Sequence, residues 1–348
     1  MFQGRILHLF GWDKKFVLSF RDLIHAHFAD GRHKFIVYGS VDQAALPRSI
    51  DTVVYGSLLK NIFALSKAMQ HAEKIILHGL FSTHLLYILA LQPWLLKKCH
   101  WVIWGGDLYA HQAEVKDWRW EKNEFFRRFV IQRIGYLLTY IPGDVALARQ
   151  WYGATGQYQE CLMYMSNIYK ELVTPSKTGS VVNILVGNSA DPTNNHLEVF
   201  EKLAAGENEN MMIYCPLSYG GIDGDYAKNI AKKGTELFGE RFVALVDFMP
   251  FEKYLILLGQ IDIAVFAHKR QQGMGNTITL LGLGKKVYMH SDVTSWLLLD
   301  GLDVKVFDFR MLDLVQIDDK TQIINKNKIR KYFSEAMLSK QWQHIFEE

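Results

Sequence analysis

Cysteine is scarce in this sequence, and the three present, Cys99, Cys161 and Cys215, share no short paired spacing. An odd count without CxxC spacing excludes a disulfide framework and a cysteine zinc site, and it leaves three small buried hydrophobes. Long apolar runs are missing as well. The best stretch, Leu85 to Leu96, is broken by Gln92 and Pro93 and followed by Lys97 and Lys98. It falls short of the roughly 20 apolar residues that a membrane-crossing helix needs. Met1 to Ile6 runs straight into a strand-like segment with no apolar signal region, so the sequence predicts a protein that stays in the cytoplasm. Solenoid repeats and low-complexity tracts are lacking. Neither GxGxxG nor a GxxxxGKS-type loop occurs, and Gly11-Trp12-Asp13 after the first strand does not supply one. That absence argues against a dinucleotide-dependent epimerase or oxidoreductase.

What is present suits two well-packed domains. The chain has 348 residues, 49% of them apolar and 22% charged, enough to bury two cores and too few charges for long disordered tails. Short β-branched and aromatic runs recur between helical patterns at Arg5–Phe10, Lys34–Tyr38, Thr52–Tyr55, Lys74–Leu77, Cys99–Trp104 and Tyr136–Thr139. A Pro- and Ser/Thr-rich break, Leu172–Ser180, reads as a linker, and the pattern restarts at Val181–Val186, Met211–Tyr214, Phe242–Leu245, Ile261–Phe266 and Lys286–Met289. This is βαβ rhythm twice over, and it predicts an α/β protein of two doubly wound, Rossmann-like domains. The expected boundaries are 1–173, 181–325 and a C-terminal helix over 326–348 packing back across both domains. Residues 1–175 hold 20 Lys+Arg against 14 Asp+Glu and nine of the 13 histidines, a basic surface for an anionic partner such as membrane phospholipid, a lipid pyrophosphate or nucleic acid.

Two strand-end loops in the second half carry the clearest chemistry. Ile184 to His196 (ILVGNSADPTNNH) is an apolar strand, a turn of small polar residues and a helix start with Asn194 or Asn195 as its cap. Gly187 lets a ligand approach the backbone there. His268 to Thr277 (HKRQQGMGNT) follows a second strand and precedes a helix; a helix N-terminus draws anions, and Arg270 adds the bidentate donor a pyrophosphate needs. Together they describe a nucleotide-diphosphate seat. Asp223-Gly224-Asp225 superficially offers paired carboxylates for a cation, but its glycine-rich setting reads as turn chemistry, so no metal is expected.

In the first half, His8 to Asp13, His78-Gly79 and Trp104 to Tyr109 each end a strand. Asp107 and Asp13 are candidates for the base that takes a proton from an acceptor hydroxyl, with His8 and His78 as rivals. His78, Trp104 and Tyr109 are candidate acceptor-binding residues. Trp118 to Leu138 mixes Trp118, Trp120, Phe125, Phe126 and Phe129 with Arg119, Lys122, Arg127, Arg128 and Arg133, which suits either an anionic membrane surface or ordinary packing.

These residues resemble a known family. HxxGxD at His8–Asp13, HGxF at His78–Phe81, WGxDLY at Trp104–Tyr109, LVGNSxDxxNxH at Leu185–His196 and an RQQGxGT-like run at Arg270–Thr277 are similar to the 4-acetamido-4,6-dideoxygalactose (Fuc4NAc) transferases of enterobacterial common antigen synthesis, glycosyltransferase family 56. The resemblance implies a GT-B fold, two Rossmann-like domains facing a central cleft, working without metal or other cofactor. It implies a dTDP-sugar donor and a polyprenyl-pyrophosphate-linked saccharide acceptor, met peripherally at the cytoplasmic face of the bacterial inner membrane, with no nucleic acid. By resemblance, Gly187, Asn188, Ser189, Asn195, His196, Arg270, Gln271, Gln272, Gly273, Gly275 and Asp107 lie within the family motif segments and are expected at the site. Tyr219, Asn276 and Thr277 join the expected donor site, and Val246 to Met249 reads either as a plain strand end, the favoured reading, or as a segment holding the nucleobase by backbone contacts. Asn276 before Thr277, Pro192-Thr193-Asn194 before His196 and the loop at Tyr219 depart from the pattern, which leaves open a related sugar, a GDP- or UDP-donor in O-antigen or capsule assembly, or a non-catalytic nucleotide-sugar-binding protein.

Overall fold

The computed structural model describes residues 5–40, 49–113, 115–171, 177, 179–206, 209–220 and 224–348. Most of the stretch expected as a linker and Asp223 of the aspartate pair lie outside them. Two compact units emerge, Met1–Ser166 with Glu335–Glu348, and Asn167–Ser334.

The first unit runs β1 (Ile6–Gly11), α1 (Lys14–His27), β2 (His33–Tyr38), β3 (Thr52–Tyr55), α2 (Ile62–His71), β4 (Lys74–His78), α3 (Thr83–Ala90), β5 (Cys99–Val102), α4 (Trp118–Arg133), β6 (Tyr136–Thr139), α5 (Pro142–Tyr152) and β7 (Gln157–Glu160). Its strands pair in parallel in the order β3-β2-β1-β4-β5-β6-β7. The second runs β8 (Val182–Val186), α6 (His196–Ala204), β9 (Met211–Pro216), α7 (Asp225–Phe238), β10 (Phe242–Leu245), α8 (Phe251–Gln260), β11 (Ile263–Phe266), α9 (Met274–Gly282), β12 (Lys286–Met289), α10 (Thr294–Gly301), β13 (Phe307–Asp308) and α11 (Asp319–Tyr332). Its parallel order is β10-β9-β8-β11-β12-β13. Every strand expected from the sequence is present. Two more, β7 and β13, escaped it: QYQE carries no apolar alternation, and a two-residue edge pairing leaves no periodic signal.

Central strands such as β4, β11 and β12 are covered on both faces and read as near-continuous apolar runs, as parallel sheets require. In each sheet the chain winds outward from one strand and then returns to its other side, between β1 and β4 and between β8 and β11. Loops diverge at such a switch point and leave a crevice beyond the strands' carboxyl ends.

The C-terminal segment expected as one helix is two. α11 packs on α9 of the second unit, and after a break at Phe333 and Ser334 α12 (Glu335–Glu347) joins the first. Trp342, Ile345 and Phe346 of α12 are buried, with Trp342 edge-on to Phe20 and its indole N–H donated to the Met163 carbonyl at 3.0 Å.

Candidate functional site

At the switch point of the second unit, the loops after β8 and β11 are hydrogen-bonded to each other. The Asn194 carboxamide is the knot: its Oδ1 accepts from the Asn188 N–H at 2.8 Å and lies 2.8 Å from His268 Nε2, while its Nδ2 donates to Ser189 Oγ at 3.2 Å. The Asn195 amide donates to the Ala267 carbonyl at 2.7 Å, and Thr193 Oγ1 lies 2.7 Å from Gln272 Oε1. Gln272 Nε2 reaches Asn188 Oδ1 at 3.3 Å, and Asn188 Nδ2 donates to the Tyr219 hydroxyl at 3.2 Å. Gly187 has φ +69°, and a Cβ there would sit 2.5 Å from His196 Nε2 and 2.8 Å from Asn194 Oδ1. Gly273, with φ +66°, stands at the N-cap of α9, where an added Cβ would crowd Asn188 at 3.3 Å. Both glycines are required by close approach and by backbone conformation.

Arg270 lies against this knot, 24% exposed along its side chain, with Nη2 3.7 Å from Asp191 Oδ2 and 3.4 Å from Thr193 Oγ1. Lys269 beside it is exposed. The α9 N-terminus, a quarter-exposed guanidinium and two glycine turns give this loop pair what an anion needs. The Asn276 amide donates to the Tyr254 hydroxyl at 2.9 Å. Tyr219 is 58% exposed, and Phe248, in the stretch Val246 to Met249, is 83% exposed.

Four residues of the expected donor site are buried, Asn188, Ser189, His196 and Thr277. His196 is fully buried with Nδ1 3.0 Å from the Tyr226 hydroxyl, and burial pulls its pKa down to about 4. Thr277 is buried and donates back to the Gly273 carbonyl at 3.2 Å. Gly275 lies in the first turn of α9, its carbonyl taken by Thr279 Oγ1 at 2.8 Å. Gln271 is half-buried beside Arg270. Asn195, not Asn194, stands at the N-cap of α6, in the left-handed region at φ +51°; its side chain makes no capping bond, and its amide goes to the Thr193 and Ala267 carbonyls. Asn194, His268, Thr193 and Asp191 were not singled out as site residues, although all lie inside the two motifs; side chains that lock loops together look like turn formers until the loops meet.

In the first unit, Asp107 is a buried clasp. Oδ2 accepts from Trp101 Nε1 at 2.7 Å and the Leu80 N–H at 2.9 Å, and Oδ1 accepts from the Trp104 and Leu108 N–H groups at 3.0 Å each. A carboxylate has about four acceptor sites, and all four are filled. With 1% exposure, Asp107 holds the loops after β4 and β5 together. Burial pushes its carboxyl up from the usual range, against the pull of the Trp101 and Leu80 donors. Asp13 is exposed and caps α1 by accepting from the Lys15 N–H at 2.9 Å and the Phe16 N–H at 3.4 Å.

His8 and His78 belong to a buried chain. His33 Nδ1 lies 3.0 Å from His8 Nε2, His8 Nδ1 lies 3.1 Å from His78 Nε2, and His78 Nδ1 lies 2.7 Å from the Tyr164 hydroxyl, which accepts from Trp104 Nε1 at 3.0 Å. Burial holds His8 and His78 well below the ordinary histidine range and His33 at about 4, so the rings are neutral and pass hydrogen bonds in one direction. Both ring nitrogens of His8 are taken up inside this chain. The chain supports Trp104, whose ring meets Phe16 at 4.4 Å and Phe81 at 5.8 Å. Tyr109 is apart from this group, edge-on to Trp151 at 5.3 Å. Among the described residues no group of three His, Cys, Asp or Glu is arranged to hold a metal, and Asp225 pairs with Lys228 on α7.

With this geometry in hand, comparison with known proteins decides the family. Residues 6–348 match the family described as "4-alpha-L-fucosyltransferase glycosyl transferase group 56". The chain belongs to glycosyl transferase group 56. It is a glycosyltransferase of the GT-B fold, and the motif resemblance extends over nearly its whole length. Solved structures share that fold at low identity. A glycosyltransferase from Rickettsia africae ESF-5 has TM-score 0.68 and 11% identity, covering 99% of this chain and 98% of its own. Anabaena HepE in complex with UDP and glucose has TM-score 0.67 and 14% identity, covering 99% and 100%. Sucrose-phosphate synthase from Thermosynechococcus elongatus has 0.63 and 12%, covering 99% and 98%.

Proposed function

We propose that the second unit of this group 56 enzyme seats a dTDP-sugar, and that the enzyme transfers a 4-amino-4,6-dideoxyhexose of the Fuc4NAc type to a polyprenyl-pyrophosphate-linked saccharide. The observation that carries the reading is the interlocked pair of loops at the β8/β11 switch point, with Arg270 lying over them. As the anomeric C–O bond breaks, negative charge grows on the departing diphosphate. Arg270 and the N–H groups at the start of α9 stabilise that charge in place, with little reorganisation. Asn188, Ser189, Gln271, Gln272 and Asn276 supply further polar contacts, and Tyr219 and residues 246–249 flank the base. No protein-bound metal is required.

On the acceptor side, Asp13 takes the hydroxyl proton, because it is the exposed carboxylate at the β1 strand end. Asp107 positions the loop that carries Trp104, and the Trp104, Phe16 and Phe81 rings receive the saccharide. The enzyme works at the cytoplasmic face of the bacterial inner membrane. Attachment is peripheral, through α4 and its neighbours; no helix among the described residues is long and apolar enough to cross a membrane.

Thermal-shift titration with dTDP, UDP, GDP and ADP tests the donor reading, since a ligand that binds the folded state raises the melting temperature by mass action. dTDP is expected to stabilise most. A larger shift with UDP, the nucleotide bound by HepE, would favour a UDP-sugar donor; no shift with any of the four would remove the seat.

A further inference from the structure

Arg270 has a partner within its own loop pair, and Thr193 holds that partner. Asp191 Oδ1 is fixed by the Thr193 N–H at 2.9 Å and by Thr193 Oγ1 at 2.6 Å, which turns Oδ2 toward Arg270. Among the described residues, Arg270's contacts are long: 3.7 Å to Asp191 Oδ2, 3.4 Å to Thr193 Oγ1 and 3.5 Å to the Gln271 carbonyl. None is the bidentate geometry in which a guanidinium binds a carboxylate or phosphate best. The cation is thus stored beside the seat, loosely, on a carboxylate that cannot follow it.

We infer that Asp191 is the resting counter-ion of Arg270, that it competes with the donor's diphosphate for the guanidinium, and that it thereby sets how readily the diphosphate product leaves. The inference rests on the proposed donor seat. A diphosphate carries more charge than one carboxylate and offers paired oxygens, so it takes Arg270 when it arrives. Asp191 Oδ2 is then a carboxylate oxygen without its cation, next to a second anion. Like charges at that separation repel, which weakens the complex with free nucleotide diphosphate. When the product goes, Asp191 recaptures Arg270. Asp191 is a positioning residue in this scheme, acting through Arg270 and touching no reacting atom.

Titration calorimetry with dTDP on the full chain tests it. Asp191→Asn keeps an oxygen for the Thr193 N–H and removes the charge, and Asp191→Ser keeps a shorter one. Both should bind dTDP roughly three- to fivefold more tightly than wild type, the range of one partly exposed ion pair. Where product release limits turnover, kcat should fall while KM falls with it. Arg270→Gln should weaken dTDP at least about tenfold, as loss of a charge-assisted contact does, and should cut the gain from Asp191→Asn. Unchanged or weaker dTDP binding by both Asp191 variants, at unchanged melting temperature, overturns the inference. If both variants melt early, wild type decides it: the Asp191 carboxyl carbon resonance should move on saturation with dTDP, and a stationary resonance overturns the inference. The seat itself fails by a different sign, dTDP binding equally to Arg270→Gln and wild type.

Discussion

Asp107 uses every acceptor site it has on the protein itself, and that sets its value. Asn in its place would present an NH2 group to two donors, leaving buried N–H groups facing each other at a cost of about 1–3 kcal/mol for each unsatisfied group. Asp107→Asn should therefore lower the melting temperature by several degrees and leave the dTDP-induced shift intact, because the loops it clasps belong to the first unit. A variant that melts like wild type but transfers no sugar would restore Asp107 as the base. The sequence could offer Asp107 and Asp13 as equals because both follow strands. Their difference is one of surroundings: four donors converge on one carboxylate, and the other is exposed at a helix cap.

Among the elements, α4 shows how a helix with little net amphipathicity can still have two distinct faces. Glu124, Arg127, Val130 and Ile131 face inward, with Arg127 donating to the Leu80 and Asp107 carbonyls at 2.9 and 3.1 Å. Trp118 and Phe125, seven residues apart and each 67% exposed, share the outer face with Lys122. Trp94 and Leu91 on neighbouring segments are 63% and 69% exposed. Exposed aromatic rings beside basic residues suit the headgroup layer of an anionic bilayer, each Lys or Arg adding about 1 kcal/mol. Co-sedimentation with vesicles of phosphatidylglycerol and phosphatidylethanolamine should pull down wild type, and Trp118→Asp/Phe125→Asp should stay in solution with its melting temperature unchanged. Equal sedimentation of both proteins would remove α4 as the docking face. The two uses of this helix left open by the sequence are thus divided between its faces, packing on one and the proposed membrane contact on the other.

At the scale of the whole molecule, buried neutral histidines tie stability to pH. His33 and His196 are pulled down to about 4, His100 and His268 to about 3, and His8 and His78 well below the ordinary value, each chiefly by burial. Folded pKa values lie below the unfolded value of about 6.5, so as pH drops below that value the unfolded chain binds protons that the folded chain refuses. Stability is complete above about pH 7 and falls as the medium is acidified, by about 1.4 kcal/mol per pH unit for each ring that stays neutral. Melting temperature should drop steeply between pH 6.5 and 5. Replacing His100, which stacks on Tyr136 at 4.1 Å away from both candidate sites, with Phe should make that drop shallower. A melting temperature flat across this range would show that the rings charge in place.

Much of the architecture was legible because it is local. Apolar runs bounded by turn residues announce strands whatever their neighbours, so the expected strands and the doubly wound class follow from order alone. The loop motifs were legible too, since Gly187 and Gly273 are demanded by the backbone at their own positions. What the sequence could not determine is which side chains meet. The knot joins residues more than 70 positions apart, as Asn194 does with His268, and the imidazole chain draws its members from β1, β2 and β4. Whether a carboxylate is clasp, cap, counter-ion or base depends on which partners reach it, and those from other strands, such as the Leu80 N–H on Asp107 and Arg270 beside Asp191, arrive only when the sheet packs.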